Sequence, residues 1–233
     1  MMSWFRGLFV LAGTWLALAG ASFGAPSADA QLDAVLARMD EASAAFKGFA
    51  ADVRKVSHTE VVNIDEVDSG TILVKRLKPH DTRIRVDLTN PRRETVSVGG
   101  GKIQIFYPQT NEAQEVDLGK NRGVVDQFML LGFGSNSAEL KNAYSVSFGG
   151  VETVNGQKAT RIELVPKDPE ILARVKKSEL WISDKGWVVQ QKLHTGGGDY
   201  LLSTYSKMEF SPSIADAALK LELPKGVKFG KLK

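Results

Sequence analysis

Arg83-Ile84-Arg85-Val86-Asp87-Leu88 decides the fold class. Charge and hydrocarbon alternate at strict period two, the signature of a β-strand with one buried and one solvated face. The same rhythm extends outward. Upstream, Ile72, Val74 and Arg76 share one face against Thr71, Leu73 and Lys75, and before them Phe49, Ala51 and Val53 oppose Asp52 and Arg54. Downstream come Val96 and Val98, then Ile103, Ile105 and Tyr107 after the turn Gly99-Gly100-Gly101. Ile162 and Leu164, Leu180 and Ile182, Trp187, Val189 and Leu193, and the run Leu202 to Phe210 complete the series. Asn155-Gly156, Asp184–Gly186 and Gly196–Asp199 are hairpin signals, so about nine or ten strands form a meandering antiparallel sheet. Asn63 to Gly70 reads as a polar turn, and no βαβ rhythm or fixed-period repeat is present.

Helical spacing is confined to a few places. Leu32, Val35, Leu36, Met39 and Phe46 form a one-sided stripe from about residue 29 to Lys47, with Gly48 placed to end the helix. Gly123 to Phe133 is apolar nearly all round and reads as a short helix. Asn136 followed by Glu139 has the spacing of a capping box opening a second short helix, 137–142. Asp168-Pro169 suits a short helix through Lys176 or an extended hairpin connection equally well.

A single antiparallel sheet of this size twists and curls rather than lying flat. Helices 29–47 and 123–142 supply apolar surface for its concave side. Two outcomes fit the pattern: the helices plug the concavity as a dry core, which packed interiors favour, or they cover it as a lid over an apolar cavity.

The 233 residues include 30 Lys and Arg, 27 Asp and Glu, three His and no Cys. Without Cys there is no disulfide framework, thiolate metal site or Cys nucleophile. His58, His80 and His194 are too far apart in sequence to suggest a histidine-rich metal centre. Residues 1–21 hold one basic residue, no acid and an apolar run from Leu8 to Ala19, the layout of an export signal, with cleavage expected after Ala21 or as late as Ala30. The run is short for a bilayer span of roughly 20 residues. Residues 22–233 are expected to form one soluble domain. Its charges are interleaved rather than gathered in a stripe, which argues against nucleic acid. Gly99-Gly100-Gly101-Lys102 lacks the spacing of a phosphate-binding loop, no nucleophile-elbow or zinc-protease motif occurs, and Asp65, Glu66 and Asp68 lack EF-hand spacing. No enzyme and no cofactor is indicated.

From Leu32 to Gly230 the order of features resembles the LolA family, periplasmic carriers of outer-membrane lipoproteins. The resemblance rests on Phe-x-Ala-x-Val (Phe49–Val53), Gly-x-Ile-x-Val-Lys-Arg (Gly70–Arg76) and a strand ending in Asn90-Pro91. Phe106-Tyr107-Pro108, Gln127–Leu131, Leu164–Lys167 and Leu223–Val227 follow in the same order. It implies an unclosed antiparallel β-barrel with helices as a lid over a hydrophobic cavity for acyl chains. It also implies that Arg76 latches the lid through lid backbone. Val74, Ile84, Val86, Ile103 and Ile105 would line the cavity wall, and Val125, Phe128, Met129 and Leu131 the underside of the lid. Implied partners are lipoprotein acyl chains, an inner-membrane lipoprotein-releasing ABC transporter and an outer-membrane acceptor, met by a periplasmic monomer. A carrier of other lipids or an envelope sensing module would use the same cavity.

Overall fold

A computed structural model of the chain describes residues 27–78, 81–119, 131, 134–210 and 213–230. Helix α1 (Ala28–Ala45) opens with Ser27, whose hydroxyl accepts the Ala30 amide at 3.2 Å. Strands β1 (Gly48–Thr59), β2 (Ile64–Lys78), β3 (Asp81–Asn90), β4 (Glu94–Gly99), β5 (Lys102–Tyr107) and β6 (Glu112–Asp117) form the first meander. Helix α2 (Ser137–Ala143) leads into the second: β7 (Tyr144–Val154), β8 (Gln157–Pro166), β9 (Lys177–Ser183), β10 (Val188–Gly196) and β11 (Asp199–Phe210), with α3 (Pro169–Arg174) between β8 and β9. A last short strand, β12 (Lys228–Gly230), pairs parallel with β6, the one departure from antiparallel pairing among the described ladders.

Twelve strands make one sheet in the order β12-β6-β5-β4-β3-β2-β1-β11-β10-β9-β8-β7. The terminal strands β12 and β7 do not pair, so the curved sheet is an unclosed barrel. The two meanders join along a single long-range ladder, β1 against β11.

Several sequence expectations change here. The sheet has more strands than the nine or ten expected, because segments as short as Glu112–Asp117 and Lys228–Gly230 carry too little periodicity to count. The stretch Asn63–Gly70 is not a turn: after Asn63 in the left-handed region, β2 starts at Ile64 and pairs residue for residue with β1, Thr59 facing Ile64. Its acidic residues are strand residues, and Asp68 is buried. Gly48 does not cap α1, which ends at Ala45. It opens β1 instead, where a Cβ would stand 2.6 Å from the Val74 carbonyl oxygen. Helix α2 has the capping box that Asn136 and Glu139 announce, and Asp168 caps α3 by accepting the Glu170 amide at 2.8 Å.

The core lies between the concave face and the helices. Val35, Leu36 and Met39 of α1 pack in one cluster with Phe49, Val53, Ile72, Val74, Ile84, Val98, Ile162, Leu164, Leu180 and Ile182 from the sheet. A smaller cluster of Val154, Ala159, Trp181 and Val189 is separate from it. The C-terminal segment is strapped to β2–β4. The Lys75 ammonium donates to the Ile214 carbonyl at 2.7 Å and pairs with Asp216 at 2.6 Å, Arg85 donates to the Ala218 and Lys220 carbonyls, and the Ser97 hydroxyl donates to the Leu219 carbonyl.

Candidate functional site

Strand register builds the concave wall. Phe49, Val74, Ile84, Val98 and Ile103 fall in one row across β1–β5, and Ala51, Ile72, Val86, Val96 and Ile105 in the next. Successive rows on one face are two residues apart, so period-two alternation puts both on the helix side. Val74 and Ile84 are buried in the main cluster. Val86, Ile103 and Ile105 are half-buried. Thus the wall is packed shut at Phe49, Ala51, Ile72, Val74, Ile84 and Val98, whereas Val86, Val96, Ile103 and Ile105, toward β5, keep apolar surface partly open.

Arg76 follows the packed row on the same face of β2. Its guanidinium donates to the Gly134 carbonyl at 2.5 Å and to the Ser43 carbonyl at 3.2 Å. It also lies 5.2 Å from the centroid of the Phe46 ring, a cation–π contact. Ser43 sits in the last turn of α1, where its carbonyl also accepts the Phe46 amide at 3.2 Å, and a fixed cation suits that end of a helix. The Ser43 hydroxyl donates to the same Gly134 oxygen at 2.6 Å. Gly134 has φ +86, and a Cβ there would stand 1.9 Å from an Arg76 nitrogen. Only a residue without a side chain can present its carbonyl to the guanidinium in this way.

These bonds join three chain segments: strand β2, the C-terminal end of α1 and the approach to α2. Asp40 adds another tie, accepting the Ser137 amide and hydroxyl, both at 2.6 Å, at the start of α2. Behind Arg76 runs a chain of rings. Phe46 lies 6.1 Å from Trp187, Trp187 stacks on Phe210 at 4.0 Å, and Phe210 stacks on Phe49 at 6.0 Å.

Leu131 is buried in the main cluster. Val125, Phe128 and Met129, expected with it on the underside of a lid, lie outside the described residues. Sequence reasoning passed over Ser43, Gly134 and Trp187 as parts of this arrangement. Trp187 was visible only as one member of a strand face, and nothing local to Ser43 or Gly134 reveals that their carbonyls meet one guanidinium.

His58 and His194 are held by carboxylates, and His80 lies outside the described residues. His58 bridges Asp65 at 2.7 Å and Glu60 at 3.0 Å, and those two hydrogen bonds raise its pKa above the usual imidazole value. Glu179 is buried. Burial alone would push its carboxyl up, but the hydrogen bond with His194 at 2.6 Å and the charges of Lys177, His194 and Arg161 outweigh that and hold it below the usual range. Among the described residues no cluster of three or more His, Asp or Glu is arranged to hold a metal ion. None of their helices is long and apolar enough to cross a membrane.

No family model matches the chain, and no curated protein does. Solved structures do. A MucB structure is 18% identical with a TM-score of 0.51, the match covering 84% of this chain and 64% of that one. The chain therefore spans less than two thirds of the length of MucB. An uncharacterised conserved protein from Thermus thermophilus is 11% identical with a TM-score of 0.53, the match covering 87% of this chain and 99% of that one. A LolA superfamily protein from Nitrosomonas europaea is 13% identical with a TM-score of 0.41, covering 84% and 99%. With one unclosed twelve-stranded sheet wrapped around helices on its concave face, the chain shares its fold with MucB and the Thermus thermophilus protein.

Proposed function

We propose that this protein is a periplasmic carrier that shelters the acyl chains of lipoproteins between its curved sheet and its helices and passes them to an outer-membrane acceptor. One observation carries the reading. The helices over an apolar wall are fastened to β2 by one guanidinium on two carbonyls, those of Ser43 and Gly134.

The energetics suit a carrier. Each sheltered methylene is worth about 0.8 kcal/mol, so ten are worth on the order of 8 kcal/mol. Extraction from a membrane requires that much apolar area, and release requires a cover that opens for a few kcal/mol. A fastening of two charge-assisted hydrogen bonds has that strength. The half-buried Val86, Ile103 and Ile105 supply wall surface for the chains. Arg76 acts as the latch, with Leu131 on the cover opposite the wall. Residues 1–21 direct export, and the exported domain works as a monomer with an inner-membrane lipoprotein-releasing ABC transporter as donor. Its work is binding, with no catalytic step.

Mass spectrometry of protein purified gently from the periplasm tests the reading. Co-purifying triacylated lipoprotein supports it; free phospholipid or fatty acid alone overturns it in favour of a carrier for other lipids. The likeness to MucB, a protein solved in complex with MucA, supports a second reading as an envelope sensing module. A stable stoichiometric protein partner in the same preparation, with no lipoprotein, would select that one.

A further inference from the structure

The sheet is not continuous at the end of β11. The β10–β11 ladder stops at Gln190 facing Thr204, while β11 runs on to Phe210 paired with β1 alone. Between Tyr205–Phe210 and the β9–β10 turn a cleft of about 520 Å3 opens, flanked by the β7–β8 turn. The Asn155 side chain spans the split by donating to the Tyr205 carbonyl at 3.3 Å. The volume lies within the roughly 300–1,000 Å3 typical of small-ligand sites.

The lining has two kinds of surface. Trp187, Val189, Met208 and Phe210 make an apolar floor, with the Trp187–Phe210 stack at its base. Lys158, Lys185 and Lys207 stand at the rim with one acid, Asp184. Lys207 is already paired with Asp52 at 2.8 Å. Lys158 and Lys185 are exposed and have no ion-pair partner among the described residues.

We infer that this cleft is a second binding site, for a small amphipathic anion: a single hydrocarbon chain carrying a carboxylate or a phosphate. The tail lies on the Trp187, Met208 and Phe210 floor and the head meets Lys158 and Lys185. An acidic peptide added as an extra strand fits less well. Lys207 has φ +50, and the β1–β11 register shifts beside it. A bulge of that kind twists an edge out of line for a further ladder. None of the five wall residues assigned to the proposed acyl cavity lines this cleft, although its floor joins the main core where Phe210 stacks on Phe49.

Isothermal titration of the protein with dodecanoate and with dodecyl phosphate, followed in parallel by tryptophan emission, tests the inference. Dodecanol and the peptide Glu-Leu-Glu-Leu-Glu are the comparison probes. The expected result is binding of either anion with a change in Trp187 emission, and weaker binding of dodecanol. The double variant Lys158→Glu/Lys185→Glu should weaken the anions by roughly tenfold, the size expected for partly exposed charges. Lys225→Glu, on the distant C-terminal segment, should leave them unchanged. Dodecanoate alone binding points to a fatty acid, and dodecyl phosphate alone to a phosphorylated lipid; either supports the site. No anion binding, binding indifferent to the double variant, or tighter binding of the peptide overturns it. Uptake beneath the helices would also be indifferent to Lys158 and Lys185, so the two sites are told apart whichever way the carrier reading falls.

Discussion

Replacing Arg76 by Leu removes the guanidinium and leaves a shorter, apolar side chain that ends at Cδ. The bond to the Gly134 carbonyl is charge-assisted and short at 2.5 Å, worth about 2 kcal/mol, and the longer one to Ser43 at 3.2 Å adds about 1 kcal/mol. The contact with the Phe46 ring contributes about 0.5–1 kcal/mol. Leucine recovers part of this by burying its own methyl groups, about 1 kcal/mol. Gly134 oxygen keeps one donor, the Ser43 hydroxyl at 2.6 Å. The net loss of about 3 kcal/mol shifts the opening equilibrium roughly a hundredfold. Hydrogen–deuterium exchange read by mass spectrometry measures it directly. Peptides covering residues 38–46 and 134–142 should exchange roughly a hundredfold faster, provided reclosing outpaces exchange, while β8 and β9 keep wild-type protection. In a reconstituted transfer assay the variant should hold its cargo yet deliver it poorly to the acceptor, because the latch bonds that re-form as the cover closes behind departing chains, and so favour release, are gone. Equal acceleration across β8 and β9 would mean that Arg76 supports the whole fold rather than the cover. Unchanged exchange at 38–46 would remove the latch altogether.

Three further outcomes are expected. Gly186→Ala should lower the melting temperature by several degrees, because φ is +79 and the new Cβ would stand 2.2 Å from the Arg38 carbonyl of α1; an unchanged melting curve would refute that packing. Tyr144→Phe should be neutral or stabilising by up to about 1 kcal/mol in urea unfolding, since the hydroxyl is buried without a hydrogen-bond partner among the described residues and burial pushes its pKa up to about 12. A loss above that size would reveal an essential hydroxyl contact. Glu179 is held below its unfolded pKa, so its stabilisation is complete above the ordinary carboxylate range and disappears as pH falls through the lowered folded value. Glu179→Gln should therefore be less stable than wild type at neutral pH, with the gap closing below roughly pH 4; a constant gap across that range would contradict the assignment.

How much of this was legible in sequence follows from what each feature depends on. Alternation at 83–88 and the turn signals at 155–156 and 184–186 are local, so most strands and the antiparallel meanders could be read directly. The capping box at Asn136 is likewise local. Pairing of β1 with β11 joins residues about 150 positions apart, and no local pattern announces it. The residues at 63–70 misled because acids and a glycine normally mark turns; here Gly70 lies in a strand where a Cβ would strike the Asp87 carbonyl, and Asp68 is buried with Arg92 as its ion-pair partner at 3.7 Å. At the candidate site, alternation supplied the inward direction of Arg76. Its acceptors are main-chain oxygens, which carry no residue identity and so leave no trace in the sequence.

The gap between β12 and β7 has a mechanical consequence. In a closed barrel the number of strands and their stagger set the girth, and no ligand can alter it without breaking ladder bonds. Here the two free rims can draw apart or together by changing twist alone, with every ladder intact. In the proposed carrier that freedom would let the interior adjust to acyl chains of different thickness, like a cuff rather than a ring.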